Sequence, residues 1–202
     1  MAVITRYCHI RQQTLRDGDR IVFQDQALTL DDFSEQAFRY LGVQYPKYYK
    51  MDRTSKLGLL GVEVLLEGTD VSDRAPESVA LVLSNAHASL DTDRRYFETL
   101  KTIASPALFV YTLSNIVTGE ICIRHGFKGE NAFFVTPSFE PVTMAGYVDG
   151  VMENEYTSAC IAGWVEVLGE QHDVFLYLVE KSKFGETSWP HDEETIEKLY
   201  LS

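Results

Sequence analysis

Ser138 is the residue in this sequence whose chemistry and setting fit a nucleophile. It closes the segment 105–138, in which a short apolar run at 132–135 predicts a buried strand. Thr136, Pro137 and Ser138 stand where that strand must stop. A sharp turn after a strand is a place where α/β enzymes expose a nucleophile. A serine hydroxyl in such a turn needs an adjacent base before it can attack an acyl group.

The residues before this turn predict the elements that position it. Ser105 and Pro106 open an apolar run over 107–113. Ser114 and Asn115 can cap a helix over 116–125, because short side-chain oxygens accept hydrogen bonds from the free amides of a first helical turn. Gly126 is placed to end that helix, and residues 127–131 form a turn before the strand.

The rest of the chain alternates between strand and helix patterns, which indicates the α/β class. Helix 53–66 is apolar almost all round and is predicted to be buried, with Gly58 and Gly61 leaving room for close neighbours. We expect strands 2–11 and 21–23 to form a hairpin across the turn signal at 17–19. The other predicted strands are 78–84, 158–167 and 174–179, and the other predicted helices are 29–41, 91–103, 142–156 and 191–201.

Composition limits the classes of partner. The chain has 202 residues and a formal net charge of −12, so we expect one domain and disfavour nucleic acid and anionic membranes as partners. An acidic carrier protein would be repelled on average and would need a local basic patch. No apolar run is long enough to span a membrane, and the N-terminal residues lack the apolar core of a signal peptide, so we expect a cytoplasmic protein.

The cysteines and one histidine indicate which kinds of site the chain can hold. The three cysteines, Cys8, Cys122 and Cys160, are scattered and include no Cys-x-x-Cys pair, so neither a disulfide framework nor a metal site is predicted, and no cofactor is expected. Cys122 and Cys160 are interpreted as small core residues. His87 follows strand 78–84 in a loop of small residues and is interpreted as a solvated or capping side chain.

The segment around Ser138 resembles the first half of the β-ketoacyl synthases of the thiolase-like superfamily. The order of Ser-Pro, Asn, helix, Gly126-Phe-Lys-Gly, strand and sharp turn matches without a gap, and residues 162–166 resemble the family's Gly-Gly-x-Glu strand. The Met51-Asp52 pair before a buried helix is a further match. In this alignment the family's Thr falls on Thr136, and its nucleophilic Cys falls on Ser138.

This resemblance, which covers 45–166, implies a thiolase-like half-fold: a mixed five-stranded sheet with helices on both faces, in one domain over 1–202. It implies that Ser138 marks a vestigial nucleophile position. It also implies an acyl or partner site, lined by Met51, Asn115, Phe133, Thr136 and Phe139. Only 36 residues follow Glu166, and the histidines of the family's second half have no counterpart there.

Three functions therefore follow as expectations. The first is a catalytically degenerate ketosynthase-like subunit, related to 3-oxoacyl-acyl-carrier-protein synthases, that assists a fatty-acid or polyketide-type synthase as a partner or chain-length subunit. The second is an active serine acyltransferase or thioesterase, which needs a histidine near Ser138. The third is a non-catalytic module that binds an acyl chain or an acyl carrier. The candidate histidines are His9, His87, His125, His172 and His191.

The expected partner is a second copy or another ketosynthase-like chain, and an acyl carrier protein is a further candidate. In the complete fold two halves cover each other's inner helices, so a lone half would expose an apolar layer. Such patches usually mark interfaces. We therefore expect the helix at 145–150, the segment 115–125, or both, to lie at a subunit contact.

Overall fold

One mixed sheet of eight strands organises the chain. The computed structural model describes residues 2–181 and 188–202. Within them the strand order is β3-β2-β1-β7-β6-β4-β5, and β8 pairs with β1 beside β2. The strands are β1 (Ala2–Arg11), β2 (Thr14–Asp17), β3 (Arg20–Gln24), β4 (Val79–Asn85), β5 (Asn131–Val135), β6 (Ala159–Leu168), β7 (Gln171–Lys181) and β8 (Trp189–Pro190).

The predicted mixed sheet with helices on both faces is confirmed, but its strand count is eight rather than five. The path β1-β7-β6-β4-β5 supplies five strands, and β2, β3 and β8 add three more beside β1. Strand β4 pairs in parallel with both β5 and β6, whereas the remaining pairings are antiparallel. All seven residues of β4 are buried, as its continuous apolar run predicts for a parallel strand covered on both faces.

The predicted hairpin between strands 2–11 and 21–23 is wrong, because β2 lies between them. Strand β1 pairs with β2, and β2 pairs with β3. The turn from β1 to β2 places Gln12 and Gln13 both at φ 49°. Non-glycine residues rarely adopt this left-handed conformation, so the sequence carries no ordinary turn signal at this position.

Helices α1 (Leu30–Tyr40), α2 (Arg53–Leu66) and α5 (Ile116–His125) share one core cluster with one face of the sheet. Helix α2 has the predicted bounds and is buried almost all round. Its two glycines allow the close approach that was expected: a Cβ at Gly58 would lie 2.6 Å from Val117, and one at Gly61 would lie 2.7 Å from Leu176. The αL conformation of Gly126 ends α5 as predicted.

Helices α6 (Pro141–Glu153) and α7 (Glu193–Leu201) cover the opposite face. An aromatic cluster fills the space beneath them. The ring centroid of Phe139 lies 5.5 Å from Phe175, 6.2 Å from Trp164 and 4.6 Å from Tyr200. Phe139 therefore anchors the start of α6 in the core.

Helices α3 (Leu90–Thr99) and α4 (Pro106–Phe109) contact each other, and α3 also contacts β6. Helix α3 ends before the predicted position 103, and Phe97, Leu100 and Ile103 are exposed instead of forming a buried face. Its buried residue Thr92 donates to the Asp52 carboxylate (3.1 Å), which also caps α2 by accepting from the Ser55 amide. No helix in the described part of the chain is both long and apolar enough to cross a bilayer.

Position 163 on β6 has room for glycine but not for a residue with a side chain. Its φ of +149° is unfavourable for other residues, and a Cβ there would overlap the carbonyl oxygen of Phe175 on β7. We expect Gly163→Ala to lower the free energy of unfolding by about 3 kcal/mol or more, because backbone atoms cannot move aside as a side chain can. Urea denaturation measures this change.

The matched control is Gly146→Ala in α6, where nothing lies within 4 Å of the added Cβ. This variant should be neutral, or more stable by up to about 1 kcal/mol, because alanine favours helix. Equal stability of Gly163→Ala and the unmodified protein would contradict the close β6–β7 contact.

Candidate functional site

Ser138 lies in an exposed bend between β5 and α6. Its position after the strand is as predicted, three residues before Pro141 begins α6. Within the described residues its hydroxyl makes no hydrogen bond. The hydroxyl is therefore accessible but has no bonded base, which leaves a serine a weak nucleophile.

Two hydrogen bonds made by Thr136 hold this bend. Its amide donates to the carbonyl oxygen of Asn85 (3.0 Å), which extends the β4–β5 pairing past the end of the strands. Its hydroxyl donates to the carbonyl oxygen of Ser138 (2.8 Å). Thr136 therefore fixes the backbone of the bend. Its hydroxyl bonds the carbonyl oxygen of Ser138 and not the Ser138 side-chain hydroxyl.

A histidine–carboxylate pair lies at the same edge of the sheet. The Nδ1 atom of His87, in the loop after β4, lies 2.7 Å from Oε1 of Glu166 on β6. The other carboxylate oxygen accepts from the backbone amides of Ala86 (2.7 Å) and His87 (3.2 Å). A carboxylate can only accept, so the Nδ1 atom donates this hydrogen bond. Glu166 thus fixes both the loop and the orientation of the ring.

The loop that carries His87 is itself tightly held. The side chain of Asn85 donates to the carbonyl oxygen of Ala88 and accepts from its amide, both at 2.9 Å. Ala88 takes the left-handed conformation with φ 50°. His87 is exposed, as its interpretation as a solvated side chain predicted. Its ring also belongs to a constrained polar network through its contact with Glu166.

The carboxyl ends of the three parallel strands bring these groups to one edge. In the sheet the order is β6, β4, β5, and the candidate groups follow in the same order: Glu166, His87 and Ser138. Ligands of open α/β sheets generally bind at this edge of parallel strands. No hydrogen bond joins His87 to Ser138 within the described residues.

The other four histidines are engaged elsewhere. His9 stacks on Phe175, and burial lowers its pKa to about 4. His125 lies near Glu63 and stacks on Phe127, and burial also lowers its pKa. His172 accepts from the Gln13 amide, and His191 pairs with Asp149. Among the described histidines, His87 is therefore the one placed at the edge that carries Ser138.

The predicted lining residues are divided between the two faces of the sheet. Met51 is buried and Phe133 is half-buried in the cluster around α2, whereas Phe139 belongs to the cluster beneath α6. Asn115 is exposed at the start of α5, and its side chain makes no capping hydrogen bond. Thr136 and Ser138 share the bend. Their role in lining an acyl or partner site stays a prediction.

The segments expected at a subunit contact each bury one side and expose the other. Helix α6 buries Met144 and Val148 against the sheet and exposes Val142, and a Cβ at Gly146 or Gly150 would have no neighbour within 4 Å. Helix α5 exposes Ile123. Both outer surfaces are therefore available for a contact.

The cysteines lie away from the bend. Cys8 and Cys160 are buried, and burial raises the pKa of the Cys8 thiol to about 12 and that of Cys160 further still. Cys122 is partly buried, and burial raises its pKa as well. Thiolates are the reactive form of cysteine, so these thiols are unsuited to nucleophilic chemistry.

The pairing of His87 with Glu166 was not predicted from the sequence. Both residues follow or end apolar strand runs, which is a signal for the carboxyl edge of a parallel sheet. Which strands are neighbours, and therefore which side chains meet, depends on a strand order that periodicity does not provide.

Comparison with solved structures supports the fold assignment. The chain is similar to "The ishigamide ketosynthase/chain length factor", with a TM-score of 0.64 and 16% identity over 92% of this chain and 63% of that chain. It is also similar to a type II PKS ketosynthase in complex with its acyl-carrier protein, with a TM-score of 0.59 and 17% identity over 89% of this chain and 62% of that chain. At these identities the likeness shows the thiolase-like ketosynthase fold alone.

A third similar structure is the ketosynthase ApeO in complex with its chain length factor ApeC from Xenorhabdus doucetiae. The TM-score is 0.58 and the identity 12%, over 100% of this chain and 91% of that chain. This chain thus spans about three fifths of the first two relatives but nearly the whole of the third. No family model and no curated protein sequence matches it.

The Thr136 hydroxyl offers a direct test of the bend. We expect Thr136→Val to lower the free energy of unfolding by about 1 kcal/mol, because it removes one hydrogen bond and keeps the side-chain shape. Thr136→Ser keeps the hydroxyl and should retain most of that stability. Urea denaturation compares the two, and equal loss in both variants would show that the bond to the Ser138 carbonyl does not stabilise the bend.

Proposed function

We propose that this chain is a catalytically degenerate ketosynthase-like subunit that assists a fatty-acid or polyketide-type synthase as a partner or chain-length subunit. The observation that carries the proposal is the bend itself: a serine occupies the position where the resemblance places cysteine, and no described histidine bonds its hydroxyl. The fold shared with ketosynthase and chain length factor structures supports it.

The chemistry of condensation explains why this bend favours a non-condensing role. Cysteine supplies some thiolate at neutral pH, whereas a serine hydroxyl needs an adjacent general base. The condensation also needs donors that stabilise developing negative charge. At this edge the positioned polar pair is His87 with Glu166, and Glu166 brings negative charge rather than an additional donor.

An open sheet edge supports a partner role. Among the described strands β5 ends the sheet, so one side of its backbone can pair with another strand. Val135 on β5 is 54% exposed, and Val142 at the start of α6 is also exposed. We propose that a second copy or another ketosynthase-like chain covers this edge. An acyl carrier protein is the further partner proposed, by analogy with the complex named above.

The edge can be tested by the mass of the protein in solution. If β5 forms the contact, the purified chain or its complex with a co-expressed ketosynthase should dissociate on Val135→Lys, because a lysine cannot be buried unpaired without cost. The matched control is Ile21→Lys on β3 at the opposite edge, where the side chain is 48% exposed. Light scattering after gel filtration measures both.

Dissociation by Ile21→Lys but not by Val135→Lys would place the contact at the other edge. A monomer that also fails to bind the co-expressed ketosynthase would contradict the partner role altogether.

A second function is favoured by one specific observation, the pair of His87 and Glu166 at the sheet edge that also carries Ser138. Strands in a sheet lie about 5 Å apart, so the order Glu166, His87, Ser138 is that of an acid, a base and a nucleophile on three neighbouring strands. An adjustment of the exposed bend on substrate binding would bring His87 to the hydroxyl, since catalytic hydrogen bonds often tighten only in the complex. The activity would be serine acyl transfer or thioester hydrolysis.

Acyl-thioester turnover by the purified chain decides between the two functions. For the degenerate subunit we expect turnover no higher than the uncatalysed background, and no change with Ser138→Ala or His87→Gln. The serine enzyme would instead show turnover that falls at least about 100-fold in each of these variants. Ser114→Ala, in another exposed loop, is the matched control and should change nothing.

A further inference from the structure

A cavity of about 430 Å³ lies between the C-terminal ends of α2 and α5 and the segments that follow α1 and α2. Helix α5 ends near the start of β4, since the Lys128 amide donates to the carbonyl oxygen of Pro76 (2.8 Å) just before that strand. Ser138 follows the opposite, carboxyl end of the parallel strands. The cavity therefore does not belong to the candidate site described above. Its apolar wall is formed by Leu41, Val43 and Leu66.

His125 on α5 is the lining group that points to a ligand. Its side chain is only 9% exposed, and its Nε2 atom has no hydrogen-bond partner within the described residues. Oε1 of Glu63 lies 3.6 Å from Nε2, which is beyond hydrogen-bonding distance. The ring stacks on Phe127 with the centroids 5.3 Å apart. Because buried polar atoms nearly always have a partner, Nε2 is a position where a ligand gains a hydrogen bond that the chain does not supply.

The charges that line the cavity are compensated. Oε1 of Glu63 accepts from Nε of Arg124 (2.7 Å). Glu67 at the end of α2 is largely exposed, and its carboxylate lies 3.6 Å from the guanidinium of Arg20. Burial lowers the pKa of His125, so its ring is neutral at neutral pH. The lining therefore favours a neutral ligand over an anion or a cation.

The hydrogen-bonding groups indicate which neutral ligand fits. A neutral imidazole carries its proton on one nitrogen, so Nε2 of His125 either donates or accepts. A hydroxyl group can do both, whereas a carbonyl oxygen only accepts. Because Nε2 and the Glu63 carboxylate are 3.6 Å apart, one hydroxyl can contact both and donate to the carboxylate when Nε2 donates. A hydroxyl is therefore the group that satisfies this position in either tautomer.

We propose that this cavity binds a small neutral alcohol, with its hydroxyl at His125 and Glu63 and its hydrocarbon body against the apolar wall. The volume is within the range of roughly 300–1,000 Å³ found for small-molecule sites, which combine apolar walls with a few polar groups. Nε2 is enclosed by its neighbours, so binding requires a small rotation of the ring, which no hydrogen bond of Nε2 opposes. The site is independent of the role assigned to Ser138.

Three probes that share one ring test the proposal: cyclohexanol, cyclohexanone and cyclohexylammonium. Two-dimensional amide spectra of the full chain show where each of them binds. We expect cyclohexanol to cause saturable shifts at the amides of residues 41–43, 63–67 and 124–125. Its affinity should exceed that of cyclohexanone about tenfold or more, because the ketone cannot donate a hydrogen bond. Equal affinity for the ketone, or tighter binding of cyclohexylammonium, would overturn the assignment of an alcohol.

Two variants and a matched control keep the test independent of folding. His125→Phe keeps an aromatic ring on Phe127 but removes Nε2, and it should weaken cyclohexanol binding about tenfold or more while unfolding in urea stays cooperative. Val43→Phe fills the apolar wall and should abolish the shifts with His125 intact. The control is His172→Phe, which replaces a histidine stacked on Phe33 elsewhere and should leave the affinity unchanged. No saturable shifts with cyclohexanol, or equal affinities in the unmodified protein and His125→Phe, would overturn the proposal.

Discussion

The parallel pairing of β4 with both β5 and β6 is the constraint on which the rest of the structure depends. It places three carboxyl strand ends at one edge and, through them, Ser138, His87 and Glu166. Because β4 is buried on both faces, helices must cover the sheet on each side. Glycines permit close contacts: Gly58 and Gly61 within α2, and Gly163 where β6 meets β7. Backbone geometry therefore brings the three groups to one edge, where the Glu166 carboxylate orients the His87 ring.

Periodicity predicted the elements that bury a wide apolar surface and failed where polar residues dominate. Helix α2 was predicted at its exact bounds because its apolar residues lie almost all round. Strand β2 was missed because Thr14–Asp17 is short and polar and is preceded by two glutamines with positive φ, a conformation that side-chain type does not reveal. Helix α3 was predicted too long because Leu100 and Ile103 are apolar but exposed.

The part of the site that lies on one strand and its turn could be predicted from the sequence. The position of Ser138 after a strand followed from the apolar run and from Thr136 and Pro137. The pairing of His87 with Glu166 depends on residues 79 positions apart, and it could be found only once the strand order was known.

The burial of the cysteines has a practical consequence for any assembly that contains this chain. Cys8 and Cys160 are enclosed, and burial raises the pKa of all three thiols. An electrophile that alkylates the reactive thiolate of a condensing enzyme would therefore modify that enzyme and spare this chain. Mass spectrometry after brief alkylation would thus tell apart a subunit that uses a reactive cysteine from this chain.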